Sequence, residues 1–314
     1  MAGPQLFAVK AMDMCAEIER HYQRFYLNVE RQAFDRWLLS LVPDRVDTLV
    51  GFSAHAVDVT HEQPLVRLRG PNGENASVCA RLVVGADGAE SVVASTLGCS
   101  RERPGYIALQ GSFDGASADP YYGAFFDEAL TDFYGWSIPK GATTYVGMAV
   151  RRGLGAGRRF DEFVDRLRER GCSIGSPLHR ESAPLRRPSL PGHITLGSDS
   201  LALIGEAAGL ISASSAEGIS YALRSARILA GALAGGVGGA AGRYRIGMAP
   251  IVADVVGKML KARVLYDTGA RRLVMRSGVT AIREAGLQPA LMYSHALCGG
   301  GGDCLVDLAT QRRR

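Results

Sequence analysis

Phe34, Trp37, Leu38 and Leu41 recur at helical spacing, and this pattern predicts a helix over about 29–41. Asn28 stands where an N-cap is expected, and Pro43 lies just past the end. Short apolar runs at 54–59 and 65–69 read as strands. Pro71-Asn72-Gly73 marks a turn, and 78–84 reads as a buried strand. From 107 to 150 the texture changes. The runs 107–113, 121–126, 132–138 and 144–150 are short, aromatic and β-branched, with glycines between them, as in an antiparallel sheet. Phe160, Phe163, Val164 and Leu167 then share one helix face. A proline-rich connection at 182–191 leads to an apolar strand at 201–204 and a helix over about 217–233. The rest reads as helical and basic, ending in a glycine-rich tail.

Parallel-type strands near Leu82 and Leu203 flank the antiparallel run. No internal repeat is present. This order fits an α/β fold, a Rossmann-like nucleotide-binding domain interrupted by an α+β insert. The expected segments are 1–105 (first part of the nucleotide domain), 106–195 (inserted substrate sheet), 196–240 (return to the nucleotide domain) and 241–314 (helical region and tail).

Composition adds bounds. With 47% hydrophobic and 21% charged residues in 314, neither disorder nor a collagen-like chain is indicated. The net charge of +5 includes Arg312, Arg313 and Arg314. It suits an anionic ligand or a membrane surface as well as a plain solvated face. No nucleic-acid partner is expected. The six cysteines are scattered without a CxxC pair, so neither a disulfide framework nor a zinc site is indicated. Cys298 and Cys304 bracket the glycine-rich tail, and two ligands are too few for a structural zinc. With no signal-peptide pattern and no apolar run of about 18 residues, the expected setting is the cytoplasm.

Two strand ends carry candidate chemistry. In the first, Leu82-Val83-Val84-Gly85 runs into Asp87-Gly88. Ligands in open α/β sheets bind beyond the carboxyl ends of strands. There a carboxylate accepts hydrogen bonds from ribose or ribityl hydroxyls, and glycine admits close backbone approach. A simple Asp-Gly turn explains the same residues equally well. In the second, Leu201-Ala202-Leu203-Ile204-Gly205 runs into Glu206, Ala208 and Gly209, followed by Ser214 and Glu217 at capping-box spacing and then Gly218-Ile219. The capping box predicts a helix start whose outward amides favour negative charge.

These two blocks resemble the fingerprints of flavoprotein monooxygenases and of the geranylgeranyl reductase family. The resemblance implies FAD as cofactor, with Asp87 and Gly88 beside it. Gly205, Glu206, Ala208 and Gly209 would lie along the ribityl chain, and Gly218 and Ile219 at the flavin. A bacterial subgroup of the family is similar also over Tyr22–Asn28 and at Arg31, Phe34 and Asp35, which implies that Arg31 contacts FAD. A solvated arginine on an amphipathic helix is the other reading of Arg31. Tyr134-Gly135-Trp136-Ser137-Ile138-Pro139 is similar to the family's substrate-cavity motif, with Ile138 where Phe is usual. Tyr134, Trp136 and Pro139 are thereby implied as substrate residues. From the residues alone, Tyr134 and Trp136 share a strand face that is either a wall for an apolar chain or sheet core. Ser91-Val92-Val93-Ala94 stands where the family carries an arginine, and Glu206 where Asp is usual.

The resemblance further implies a reductase of carbon–carbon double bonds in an isoprenoid-like apolar substrate. NAD(P)H or a reduced carrier protein would be the electron donor, with peripheral contact to the membrane. A flavin-dependent aromatic monooxygenase is the alternative enzyme. A truncated, non-catalytic member of the FAD family is the alternative class. No catalytic acid or base is assigned. The strand–Gly-x-Gly-x-x-Gly–helix unit that cradles a dinucleotide diphosphate is not found. Gly153-Leu154-Gly155-Ala156-Gly157 has the wrong spacing, and the glycines at 236–239 follow a helix. The chain is therefore expected to begin inside a longer gene or to be a truncation. As written, it is expected to hold FAD weakly.

Overall fold

The computed structural model describes residues 5–98, 105–115 and 121–282. A seven-stranded sheet forms its larger half. The strands are β1 (Leu6–Asp13), β2 (Ile18–Tyr26), β7 (Gly105–Asp114), β8 (Tyr122–Phe126), β9 (Gly135–Lys140), β10 (Thr143–Arg151) and β11 (Pro177–Arg186). Their spatial order is β11-β7-β10-β9-β8-β1-β2, antiparallel except where β1 runs parallel to β8. Helix α3 (Ala156–Glu169) covers one face. Its Phe160, Phe163, Val164 and Leu167 pack on Phe113, Phe125, Val146, Met148 and Val150. The opposite face carries Ala11, Tyr106, Ala124, Phe126 and Tyr134, and it looks toward the C-terminal helices.

The second half is built on β6 (Val83–Gly85) and β12 (Leu201–Leu203), paired in parallel. Helices α4 (Ile219–Ala234) and α5 (Ala240–Tyr266) pack on them, with Leu203, Tyr221, Tyr244, Met248, Ile251 and Val255 in the core. Short α2 (Val92–Thr96) and the three-stranded sheet of β3 (Ser53–Asp58), β4 (Leu65–Arg69) and β5 (Asn75–Cys79) complete this half. Helix α1 (Arg31–Ser40) follows β2, and α6 (Thr268–Ser277) closes the described chain.

Several expectations change. The seven-stranded sheet reaches back to residues 6–26, so the expected boundary at 105 divides it. Glu30, not Asn28, caps α1, its carboxylate accepting from the amides of Gln32 and Ala33. Asn28 is buried and donates to the Pro139 carbonyl at 2.9 Å. The run at 78–84 is two elements, the exposed end of β5 and then β6. The first half of the proline-rich connection at 182–191 belongs to β11. That strand lies at the edge of its sheet, where Pro184 removes no needed ladder bond. The predicted capping box does not form. Gly218 is the N-cap of α4 and makes no side-chain cap, while Glu217 accepts from Ser220 and Ser214 pairs with Ser212. The tail with Cys298 and Cys304 lies outside the described residues.

Candidate functional site

Parallel pairing of β6 with β12 sets Gly85 beside Leu203. The two chemistry-bearing turns thus leave adjacent strand ends on the same side. After β6, Asp87 turns its carboxylate back to accept from the Val92 amide at 2.7 Å, and Gly88 adopts φ +71°. No atom lies within 4 Å of where a Gly88 side chain would begin, so this edge is open. After β12, Gly205 is buried and donates its amide to Ser225 Oγ at 3.0 Å. The Glu206 carboxylate accepts from the Arg186 amide at 2.7 Å, and burial raises its pKa. Ala208 is buried, and Gly209 takes φ +77°. Arg186 joins both turns, because its Nε also donates to the Ala89 carbonyl. Sequence reading missed this strap. The adjacent Arg186-Arg187 within the proline-rich connection was its only trace. Arg31 lies on the exposed α1, its Nε on the Asp35 carboxylate at 2.8 Å.

A cavity of about 710 Å³ lies between the seven-stranded sheet and helices α5 and α6. Strand alternation builds its floor, since every second residue of five strands points the same way. Val9 and Ala11 come from β1, Tyr22, Arg24 and Tyr26 from β2, Ala108 and Gln110 from β7, and Tyr122 and Ala124 from β8, with Trp136 and Ile138 from β9. The opposite wall is the 214–219 segment with Lys261, Tyr266 and Met275. Tyr134 and Trp136 both line this space, whereas Pro139, buried on the other side of its strand, does not. Of the expected cofactor residues, only Ile219 reaches the cavity. Tyr22, Arg24, Tyr26, Lys261 and Tyr266 were not foreseen.

The aromatic wall is held by polar ends. Tyr134 donates its hydroxyl to the Ser215 carbonyl at 2.8 Å and accepts from Tyr122 at 3.1 Å. Tyr266 donates to the Ser214 carbonyl at 2.8 Å. Burial pushes both Tyr134 and Tyr266 well above the ordinary phenol range, so both stay protonated donors. Trp136 Nε1 donates to Gln110 Oε1 at 3.1 Å. The sheet is thus tied to the segment that leads into α4.

These residues fit the flavin half of FAD. Two carboxylates stand at adjacent strand ends, Gly88 offers an open backbone edge, and α4 presents an N-terminus without a side-chain cap beside the cavity. Such a terminus favours negative charge. Among the described residues no group of His, Cys, Asp and Glu is arranged to hold a metal. No described helix is long and apolar enough to cross a membrane.

Fold and site together define an FAD-binding flavoprotein oxidoreductase. Residues 32–130 match the family model described as an FAD binding domain. The chain belongs to the family of protein CbrA. It is 36% identical over 284 residues to CbrA of Escherichia coli O6:H1, covering 90% of this chain and 77% of that protein. Among solved structures, a geranylgeranyl bacteriochlorophyll reductase-like protein from Thermoplasma acidophilum superposes with a TM-score of 0.73 at 19% identity. That match covers 87% of this chain and 74% of the other. CmlS, a flavin-dependent halogenase, superposes at 0.56 and 18% identity, over 86% and 50%. These two likenesses show the shared fold.

Proposed function

We propose that this FAD-dependent oxidoreductase reduces carbon–carbon double bonds of an apolar, isoprenoid-like substrate lying in the cavity between the sheet and α5–α6. The observation that carries the reading is the cavity itself. It is large enough for an extended chain, it is walled mainly by aliphatic and aromatic side chains, and it meets the start of α4 at Ile219. Bound FAD supplies the hydride chemistry. The chain's own residues orient and shield. Asp87, Gly88, Gly205, Glu206, Ala208 and Gly209 shape the strand-end edge on which the ribityl side rests, and Arg31 approaches from α1. The amides at Gly218 and Ile219 favour negative charge on the flavin ring. Tyr134 and Trp136 form the wall against the substrate, and the cavity's apolar lining excludes water from the reacting carbon atoms. NAD(P)H or a reduced carrier protein provides the electrons.

The test is anaerobic. Protein loaded with FAD and reduced by dithionite is mixed with a polyprenyl alcohol, and flavin absorbance is followed together with product mass. The expected result is flavin reoxidation coupled to a gain of two hydrogens in the product. Reoxidation that occurs only on admission of oxygen, with oxygen inserted into an aromatic compound, would overturn the reading in favour of a monooxygenase.

A further inference from the structure

The segment that runs into α4 is held from within and from outside. Inside it, the Ser212 amide donates to the Glu217 carbonyl and the Ala216 amide to the Ser212 carbonyl, both at 2.9 Å. The buried Ser212 Oγ accepts from the Ser215 amide at 3.2 Å and from the Ser215 hydroxyl at 2.9 Å. The amides of Ser215 and Ala216 are thereby engaged within the loop, while the carbonyls of Ser214 and Ser215 turn outward. Those carbonyls meet Tyr266 from α5 and Tyr134 from β9, each donating its hydroxyl at 2.8 Å. Elements from the two halves of the molecule thus grip adjacent peptide units. The next residue, Ala216, sits at φ +53°. A residue with a Cβ is strained there and stays only where its surroundings fix it. The segment has a reason to relax, and two tyrosine hydroxyls hold it against relaxing.

The same tyrosines face the cavity. Both rings line it, and each lies against Phe126 and Phe133 at centroid distances from 4.9 to 6.3 Å. An apolar chain packed on these rings fixes their tilt, and with it the position of both hydroxyls. Just beyond the gripped carbonyls come the amides of Gly218 and Ile219, at the start of α4. We propose that Tyr134 and Tyr266 are positioning residues that couple occupancy of the cavity to the flavin. A chain against their rings locks the 214–219 segment with its last amides toward the flavin, where they favour the negative charge of the reduced form. By linkage, the reduced protein holds the chain more tightly than the oxidised one, by the same factor. The proposal rests on reading the cavity as the substrate site and the start of α4 as the flavin edge, and it adds how the two communicate.

The experiment uses tetradecanol, an uncharged long-chain probe, and the variant Tyr134→Phe/Tyr266→Phe, which keeps both rings and removes both hydroxyls. A Trp37→Phe background removes the other tryptophan, so that Trp136 fluorescence reports binding in the cavity. In the parent, tetradecanol is expected to favour the reduced form about tenfold, which raises the midpoint potential of bound FAD by about 30 mV for a two-electron couple. It should also slow amide exchange across 212–219. The variant still binds tetradecanol, but its exchange across 212–219 is about tenfold faster, the scale of two lost hydrogen bonds. That exchange no longer responds to tetradecanol, and the shift in potential is gone. Tyrosines that only wall the cavity would leave the potential and its response as in the parent.

A potential that tetradecanol does not move in the parent, or moves equally in the variant, overturns the coupling but leaves the cavity and the flavin edge standing. Protection across 212–219 that is equal in variant and parent does the same. If tetradecanol does not bind the parent, the cavity reading falls and takes the proposal with it. If tetradecanol binds but FAD does not, the flavin edge falls, and the proposal with it. Should the double variant lose tetradecanol binding, Tyr134→Phe and Tyr266→Phe are measured singly. Each is expected to lose part of the shift, and a full shift in both overturns the coupling.

Discussion

Trp136 shows how much of the cavity's shape rests on single positions. Its cross-strand partner is Gly147, and a side-chain carbon there would fall 2.4 Å from the indole ring. The missing side chain is therefore what lets the ring lie across β10. Gly147→Ala is expected to push the indole off this position, break its bond to Gln110, and cost about 1–3 kcal/mol as overpacking. Thermal unfolding and a shifted Trp136 emission in the Trp37→Phe background check this; an unchanged spectrum would count against it. Glu206 makes a second prediction at this scale. Burial raises its pKa more than the Arg186 amide and charge lower it. A raised carboxyl favours the folded state when protonated, so its contribution is greatest below the ordinary glutamate range and is lost as pH rises through the folded-state pKa. Relative to Glu206→Gln, the native protein should lose stability from acid toward neutral pH. Denaturant midpoints measured across that range give the slope and its sign.

At the scale of elements, the chain was legible where a face is apolar. Helix α3 stands where Phe160, Phe163, Val164 and Leu167 predict it, and β7, β8 and β10 overlap the predicted runs 107–113, 121–126 and 144–150. The strand-end turns were legible too, because an apolar run ending in glycine and a carboxylate is a local requirement of backbone and chemistry. Strand β2 was not legible. Its inward residues Tyr22, Arg24 and Tyr26 face a cavity rather than a packed core, so no apolar alternation marks it. The cavity was hidden for the same reason, since six strands and three helices each give it only a few residues.

Helix α6 is held mainly by charge. Asp13 is fully buried beneath it and receives Arg271 at 2.9 Å and Arg272 at 3.2 Å, with Glu128 closing the network. Burial alone would raise the Asp13 carboxyl, but hydrogen bonds from Arg272, the Ala16 amide and Arg271 outweigh it and hold the group below the usual range. Arg271→Ala leaves that carboxylate buried with Arg272 and the Ala16 amide as its remaining partners. Losing a hydrogen-bonded charge partner should cost about 1.5–3 kcal/mol and free α6 from the cavity wall. Hydrogen exchange of the α6 amides would report the loosening, and protection equal to the parent's would refute it.

Each half of the molecule has its own core, one around β6, β12, α4 and α5 and the other between the large sheet and α3, and a third cluster of Phe126, Phe133, Tyr134, Tyr266 and Met275 lies at their junction. Arg187 is a main bond between them. Its guanidinium lies 4.1 Å from the Tyr266 ring and 4.6 Å from that of Phe133. Nε donates to the Ala213 carbonyl at 3.2 Å, while Nη1 donates to the Asp132 carbonyl at 3.1 Å and to the Tyr106 hydroxyl at 3.2 Å. One planar cation thus stacks on two rings and binds main chain on both sides of the junction, a geometry that lysine does not reproduce. Stacking contributes about 0.5–2 kcal/mol, and each hydrogen bond to the charge about 1.5–3 kcal/mol less what water returns on release. Arg187→Ala should therefore destabilise the whole by about 3 kcal/mol or more, a sum of these ranges, and Arg187→Lys should recover only a minor part. Because the halves keep their own cores, the loss should fall on their coupling. Calorimetry of Arg187→Ala is expected to show the single transition broaden or split, with Trp136 emission reporting the sheet half and amide exchange in α4 the other. A single sharp transition at the parent's temperature would mean that the cavity walls, not Arg187, hold the halves together.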